Sequence, residues 1–135
     1  MAGPYQKGRS GPGGWWILDE PELHLGRDIL VPDLAGWRRE RMPGLPDTAY
    51  FVLAPDWVCE VLSPSTVQMD RVDKLGIYAA HGITHAWIID PDAKTLEVFS
   101  LHQRHWRRDL VLRESNEIQA APFDATAFNL VSLWE

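Results

Sequence analysis

Residues 56–90 read DWVCEVLSPSTVQMDRVDKLGIYAAHGITHAWIID, and the order of their hydrophobic periods decides the fold. Residues 56–62 (DWVCEVL) form a short apolar run, broken after its first residue only by Glu60, with the length and composition of a strand. After Ser63-Pro64-Ser65-Thr66 the period changes. Met69, Val72, Leu75, Tyr78 and Ala79 recur at spacings of three and four, the buried stripe of a helix. Ser65 with Gln68 three residues later matches a capping box, and Gly82 supplies the residue that ends a helix near His81. Residues 85–90 (HAWIID) then return to strand character. Strand, helix and strand in this order permit a right-handed crossover between two parallel strands.

Upstream, residues 17–25 and 28–35 are two β-type runs separated by Gly26-Arg27, the pattern of an antiparallel hairpin. Pro21 marks an edge or a bulge in the first of them. Residues 36–49 (GWRRERMPGLPDTA) read as a polar, Pro-containing excursion. Downstream, residues 95–101 (TLEVFSL) follow through the turn at 91–94, and residues 109–113 add a sixth strand. Residues 118–135 read only as covering structure. Residues 1–14, with five Gly and two Pro, read as a flexible lead-in to a single domain over 15–135. The expected class is α/β (α+β): a β-β-β-α-β-β order, an antiparallel meander of three strands, and a mixed sheet with a crossover helix on at least one face.

A chain of 135 residues with 45% hydrophobic content and seven Trp can build one core. The single Cys59 cannot pair within the chain, which fits a reducing, cytoplasmic setting. No run of about 18 apolar residues spans a membrane, and the N-terminus lacks the apolar stretch of a signal peptide. A net charge of −6 disfavours non-specific attachment to phosphate backbones. The exceptions are local: Arg38, Arg39 and Arg41, and the cluster Arg104, His105, Arg107 and Arg108.

Glu60 breaks the pattern of its strand, because alternation puts it on the same face as Val58 and Leu62. An ionised carboxylate there costs several kcal/mol unless a cation, a metal or a solvent-filled cleft compensates it. Alternation likewise puts Asp33 on a face with Ile29 and Val31, which reads as buried. If the two strands pair, Asp33 and Glu60 repel each other unless a hard cation lies between them, and Mg²⁺ needs only one or two carboxylates besides water. Lys74 stands one helical turn after Asp70, offset from the Leu75/Tyr78 stripe, and from spacing alone the pair reads first as an ordinary exposed i,i+4 ion pair. Glu20 and Glu22 share one face of the first strand. The five His show no zinc-ligand spacing, and Cys59 reads as a buried hydrophobe. Among the Trp, only Trp15, Trp16 and Trp37 leave room for base stacking. No phosphate-binding glycine loop or serine-nucleophile motif is present.

The runs VPDLAGW (31–37), APDWVCEVLSPST (54–66), DRVDKLGIYAAHGITHAWIIDP (70–91) and TLEVF (95–99) resemble the Uma2 family, also called DUF820. That family consists of restriction endonuclease-like proteins of the PD-(D/E)XK nuclease superfamily, and the resemblance covers roughly residues 11–135. It implies that Pro32-Asp33 and Glu60 match the motif carboxylates, and that Asp33 and Glu60 hold Mg²⁺, or Mn²⁺ in its place. Leu62 stands where the superfamily usually has its lysine, and Lys74 from the following helix takes that role, orienting or activating the attacking water. Glu22 resembles the family's first-strand glutamate, and Asp70 would steady Lys74 or reach the metal through water. The implied activity is hydrolysis of nucleic acid, DNA first, by an endonuclease. The alternatives are a catalytically inactive binding or assembly module and a phosphoesterase acting on small substrates. Members of the family usually begin with a helical segment ahead of the Gly-rich stretch, whereas this sequence starts at that stretch. It reads as a truncated gene product, a fragment, or a shortened member that completes its core as a homodimer, each compatible with a correctly placed but inactive site.

Overall fold

The structure is a computed structural model. It describes residues 14–62 and 68–113, with the side chains of residues 68–72 and 113 outside the description. The capping box at Ser65, the lead-in through residue 13, Trp134 and the covering segment at 118–135 therefore lie outside the described residues.

The elements are β1 (Trp15–Asp19), β2 (Leu23–Leu25), β3 (Asp28–Leu30), β4 (Leu34–Arg38), β5 (Trp57–Val61), α1 (Gln68–Ala80), β6 (His85–Asp90), β7 (Thr95–His102) and β8 (His105–Arg113). Six strands form one sheet in the order β1-β4-β5-β6-β7-β8, and β2-β3 forms a separate two-stranded sheet. Among the strands of the described six-stranded sheet, β5 and β6 pair in parallel, Trp57 to His85 through Val61 to Ile89, and α1 makes the crossover between them. The mixed sheet with one crossover helix expected from residues 56–90 is what the chain forms.

Both upstream runs are broken, and at the same level. Glu20 adopts a positive φ of 50° ahead of Pro21, and Pro32 has no N–H to continue a ladder. The Glu20 N–H donates to the Asp33 carbonyl at 2.9 Å, closing the ladder where β1 and β4 end. The hairpin expected at Gly26-Arg27 exists, but as β2-β3, hinged away from β1-β4. The break also corrects the face assigned to Asp33. Leu30 and Pro32 turn inward, while Ile29 and Val31 are 65% and 44% exposed. Residues 36–38, expected to open the excursion, are the end of β4. Gly36 lies in the sheet because a Cβ there would stand 3.1 Å from ring atoms of both Trp15 and Trp57. The last strand starts earlier than expected, at His105. Gln103 and Arg104, both at positive φ, make the two-residue turn that joins β7 to β8.

The sheet alternates cleanly. Trp57, Cys59, Trp87 and Ile89 bury one face; Val58 and Ala86 bury the other, together with Tyr78 of α1 and Leu23 and Leu30 of the small sheet. Helix α1 ends in a Schellman arrangement, with Gly82 at φ 76° and the Ile83 N–H reaching the Tyr78 carbonyl at 3.1 Å. On one side, His81 Nε2 lies 2.9 Å from Asp28 Oδ2 of β3. On the other, the Trp106 indole donates to the Leu75 carbonyl at 2.9 Å. Both contacts fix which face of the helix looks down on β5.

Candidate active site

Asp33 precedes β4 by one residue. The antiparallel register Leu34↔Cys59 carries on to place it beside Glu60. Its half-buried carboxylate accepts the Val61 N–H at Oδ2, 2.6 Å away, so the end of β5 orients it. Glu60 lies next to that N–H in the chain and is 7% exposed. Its Oε2 accepts the Tyr78 hydroxyl at 2.5 Å, and its Oε1 accepts Lys74 Nζ at 3.3 Å. Burial raises the Glu60 pKa above the ordinary carboxylate value. The Tyr78 hydrogen bond and the Lys74 charge pull it back, and the nearby Asp33 charge raises it again.

The structure thus brings Asp33, Glu60 and Lys74 together. Lys74 is not offset from the Tyr78 stripe as the spacing suggested: standing four residues apart on one helix, Lys74 and Tyr78 converge on a single carboxylate. Tyr78 is the functional candidate that sequence reasoning missed, since its apolar neighbours assign it to the core. The signal was its i,i+4 relation to Lys74 beneath a strand carrying a lone Glu.

Glu22 is not brought in by any described contact. It is exposed in the connection before β2, and its Oε2 lies 2.6 Å from His24 Nε2. The side chain of Asp70 lies outside the described residues. Cys59 faces away from Glu60 in the opposite core, and burial pushes its thiol well above the usual range, which removes it as a nucleophile.

The donor chemistry fits a hard divalent cation. Two carboxylates are neighbours in the sheet register and offer hard oxygen atoms. Asp33 is held through Oδ2 by the Val61 N–H, and Glu60 through Oε2 by Tyr78 and, at the longer distance, through Oε1 by Lys74. Among the described residues no third His, Cys, Asp or Glu joins them, so water would complete the coordination of a cation held there.

The basic and aromatic surfaces are largely spoken for. Arg41 pairs with Asp56 at 2.7 Å, Arg107 with Asp109 at 2.9 Å and Arg108 with Glu97 at 2.9 Å. Trp37 is fully buried, and the guanidinium groups of Arg38 and Arg39 stack over Trp15 and Trp16 at 4.6 Å and 4.2 Å. Of the three indoles considered for base stacking, Trp15 and Trp37 are buried and Trp16 is half-buried beneath Arg39. No described helix is long and apolar enough to cross a membrane.

Comparison with known proteins agrees with this architecture. A crystal structure from Anabaena variabilis, described as "a putative nuclease belonging to DUF820", superimposes with a TM-score of 0.70 at 25% identity, covering 90% of this chain and 68% of that one. Among curated proteins no sequence matches. Residues 7–130 match the family described as "Uma2: Putative restriction endonuclease". The chain belongs to the Uma2 family, and its mixed sheet with a single described helix is the nuclease-like fold of that family.

Proposed function

We propose that this protein is a Mg²⁺-dependent endonuclease that hydrolyses phosphodiester bonds of nucleic acid, with DNA as its first substrate. The observation that carries the reading is that Lys74 of α1 reaches the buried carboxylate of Glu60, while Asp33, next to Glu60 in the sheet register, accepts the adjacent Val61 N–H. Asp33 and Glu60 are the residues that hold the metal, which when bound supplies Lewis-acid stabilisation of charge on the scissile phosphate. Lys74, half-buried beside Glu60, orients the attacking water. The water oxygen forms the new bond to phosphorus as the opposite ester bond breaks; the proton the water gives up passes to solvent, and solvent returns one to the departing oxygen.

The test is cleavage of supercoiled plasmid DNA with Mg²⁺ or Mn²⁺, alongside Asp33→Ala and Glu60→Ala. Nicking is expected from the wild type alone and is expected to stop with EDTA. Cleavage that survives either substitution or EDTA would falsify the assignment. RNA and mononucleotides in parallel separate DNA, RNA and small-substrate activities. A second reading, a non-catalytic binding module, draws on the pairing of Arg41, Arg107 and Arg108 with acids in a chain of net charge −6. Under that reading no metal supports cleavage of any of these substrates.

A further inference from the structure

We propose that Tyr78 is a positioning residue for Glu60: its buried hydroxyl ties down Oε2 and leaves Oε1 as the oxygen that takes a divalent cation in exchange for Lys74. This rests on Glu60 being a metal ligand, the reading given above.

The two partners of Glu60 are unequal. Tyr78 is fully buried, packed with Val58, Ile83 and Ala86, and its hydroxyl lies at 2.5 Å from Oε2. A tyrosine ring turns about two torsions only, and here both are fixed by the surrounding core. Lys74 reaches Oε1 at the longer 3.3 Å, on a flexible four-carbon stem, with 27% of its side chain exposed. One tether is built into the core; the other can leave.

Asp33 shows the same division. Its Oδ2 accepts a backbone N–H from Val61, a donor that cannot swing away, and no bond to Oδ1 is found among the described residues. Each carboxylate is therefore fixed through one oxygen by an immobile donor. The second oxygen is left either without a described protein partner, as in Asp33, or to a partner that can depart, as in Glu60. Groups that orient a metal-ligating side chain in this way typically contribute about 10–100-fold to metal affinity. Lys74, once displaced from Oε1, keeps its charge within reach of the same point.

The experiment is titration of EDTA-stripped protein with Mn²⁺ by calorimetry, on wild type, Tyr78→Phe, Lys74→Met and Glu60→Gln. Phe keeps the ring volume, and a melting curve of each variant in the same buffer verifies the fold. Tyr78→Phe is expected to weaken Mn²⁺ binding by about 10–100-fold, while Lys74→Met binds as tightly as wild type or tighter. Unchanged affinity in Tyr78→Phe, even with a lowered melting temperature, makes the hydroxyl purely structural and overturns the proposal. Weakening in Lys74→Met to the level of Tyr78→Phe overturns the exchange. If Glu60→Gln binds Mn²⁺ like wild type, the metal-site reading itself fails, an outcome distinct from the other two.

Discussion

Replacing Lys74 by Met probes the site without requiring any catalysis. The substitution keeps the length of the side chain and removes the cation at 3.3 Å from Glu60 Oε1. The side chains are 27% and 10% exposed, so the pair lies between two known regimes. Exposed pairs contribute about 0–1 kcal/mol, whereas removing one partner of a buried pair costs about 3–5 kcal/mol. Glu60 keeps the Tyr78 hydroxyl, which softens the loss. The metal-free variant is therefore expected to lose about 1–3 kcal/mol at neutral pH, or about 4–12 °C in melting temperature for a domain of this size. The loss must depend on pH in one direction. Because the folded Glu60 pKa is raised, the native state holds that proton more tightly than the unfolded chain does. Glu60 thus contributes stability at low pH that is lost as pH rises through its raised value. Removing the lysine removes one of the groups that restrain the rise, so Lys74→Met shows a steeper loss, extending to higher pH. Below the ordinary carboxylate range the two proteins converge. Thermal melts of EDTA-treated protein across this range, repeated in the Glu60→Gln background, make the measurement. A Lys74→Met penalty that is the same at every pH, or undiminished in the Glu60→Gln background, refutes the coupling on which the argument rests.

Glu60→Gln should abolish metal-dependent cleavage yet raise the melting temperature of the metal-free protein at neutral pH. It removes a buried charge whose pKa burial has raised, and its advantage should vanish as acid protonates the wild-type carboxyl. Gly36→Ala should cost about 1–3 kcal/mol in urea titration, because its methyl would overlap two indoles at 3.1 Å in a packed sheet. Stability equal to wild type would mean that the Trp15 and Trp57 rings give way freely.

The sequence shows the β5-α1-β6 unit plainly, for a physical reason. Each element there buries one face or both, so strand and helix periods stay intact over enough residues to be read. Glu60 is legible on the same grounds, as a carboxylate at a core-facing position in a fully apolar strand. Asp33 is legible only as its partner, because strand alternation sets it in a row with Ile29 and Val31 that the break at Pro32 undoes. Lys74 reads locally as a surface charge, because nothing in the spacing says that the helix leans on β5 along that edge. Tyr78 hides for the opposite reason: it is a true core residue, 0% exposed, whose polar tip alone enters the site.

The failed alternation at residues 28–33 has a structural cause that also builds the site. An unbroken strand from Asp28 into β4 would have kept Ile29, Val31 and Asp33 in one row on one face. Pro32, without an N–H, and Glu20, at positive φ, end the β1-β4 ladder together at the Glu20–Asp33 backbone bond. At that break the small sheet β2-β3 turns aside to cover the core. The Asp33 side chain is thereby carried to the β5 side, where it accepts the Val61 N–H rather than lying in line with Val31. The same irregularity leaves Ile29 and Val31 exposed and sets Asp33 beside Glu60. Local regularity is given up at the point where two carboxylates become neighbours, which is the arrangement the proposed metal site rests on.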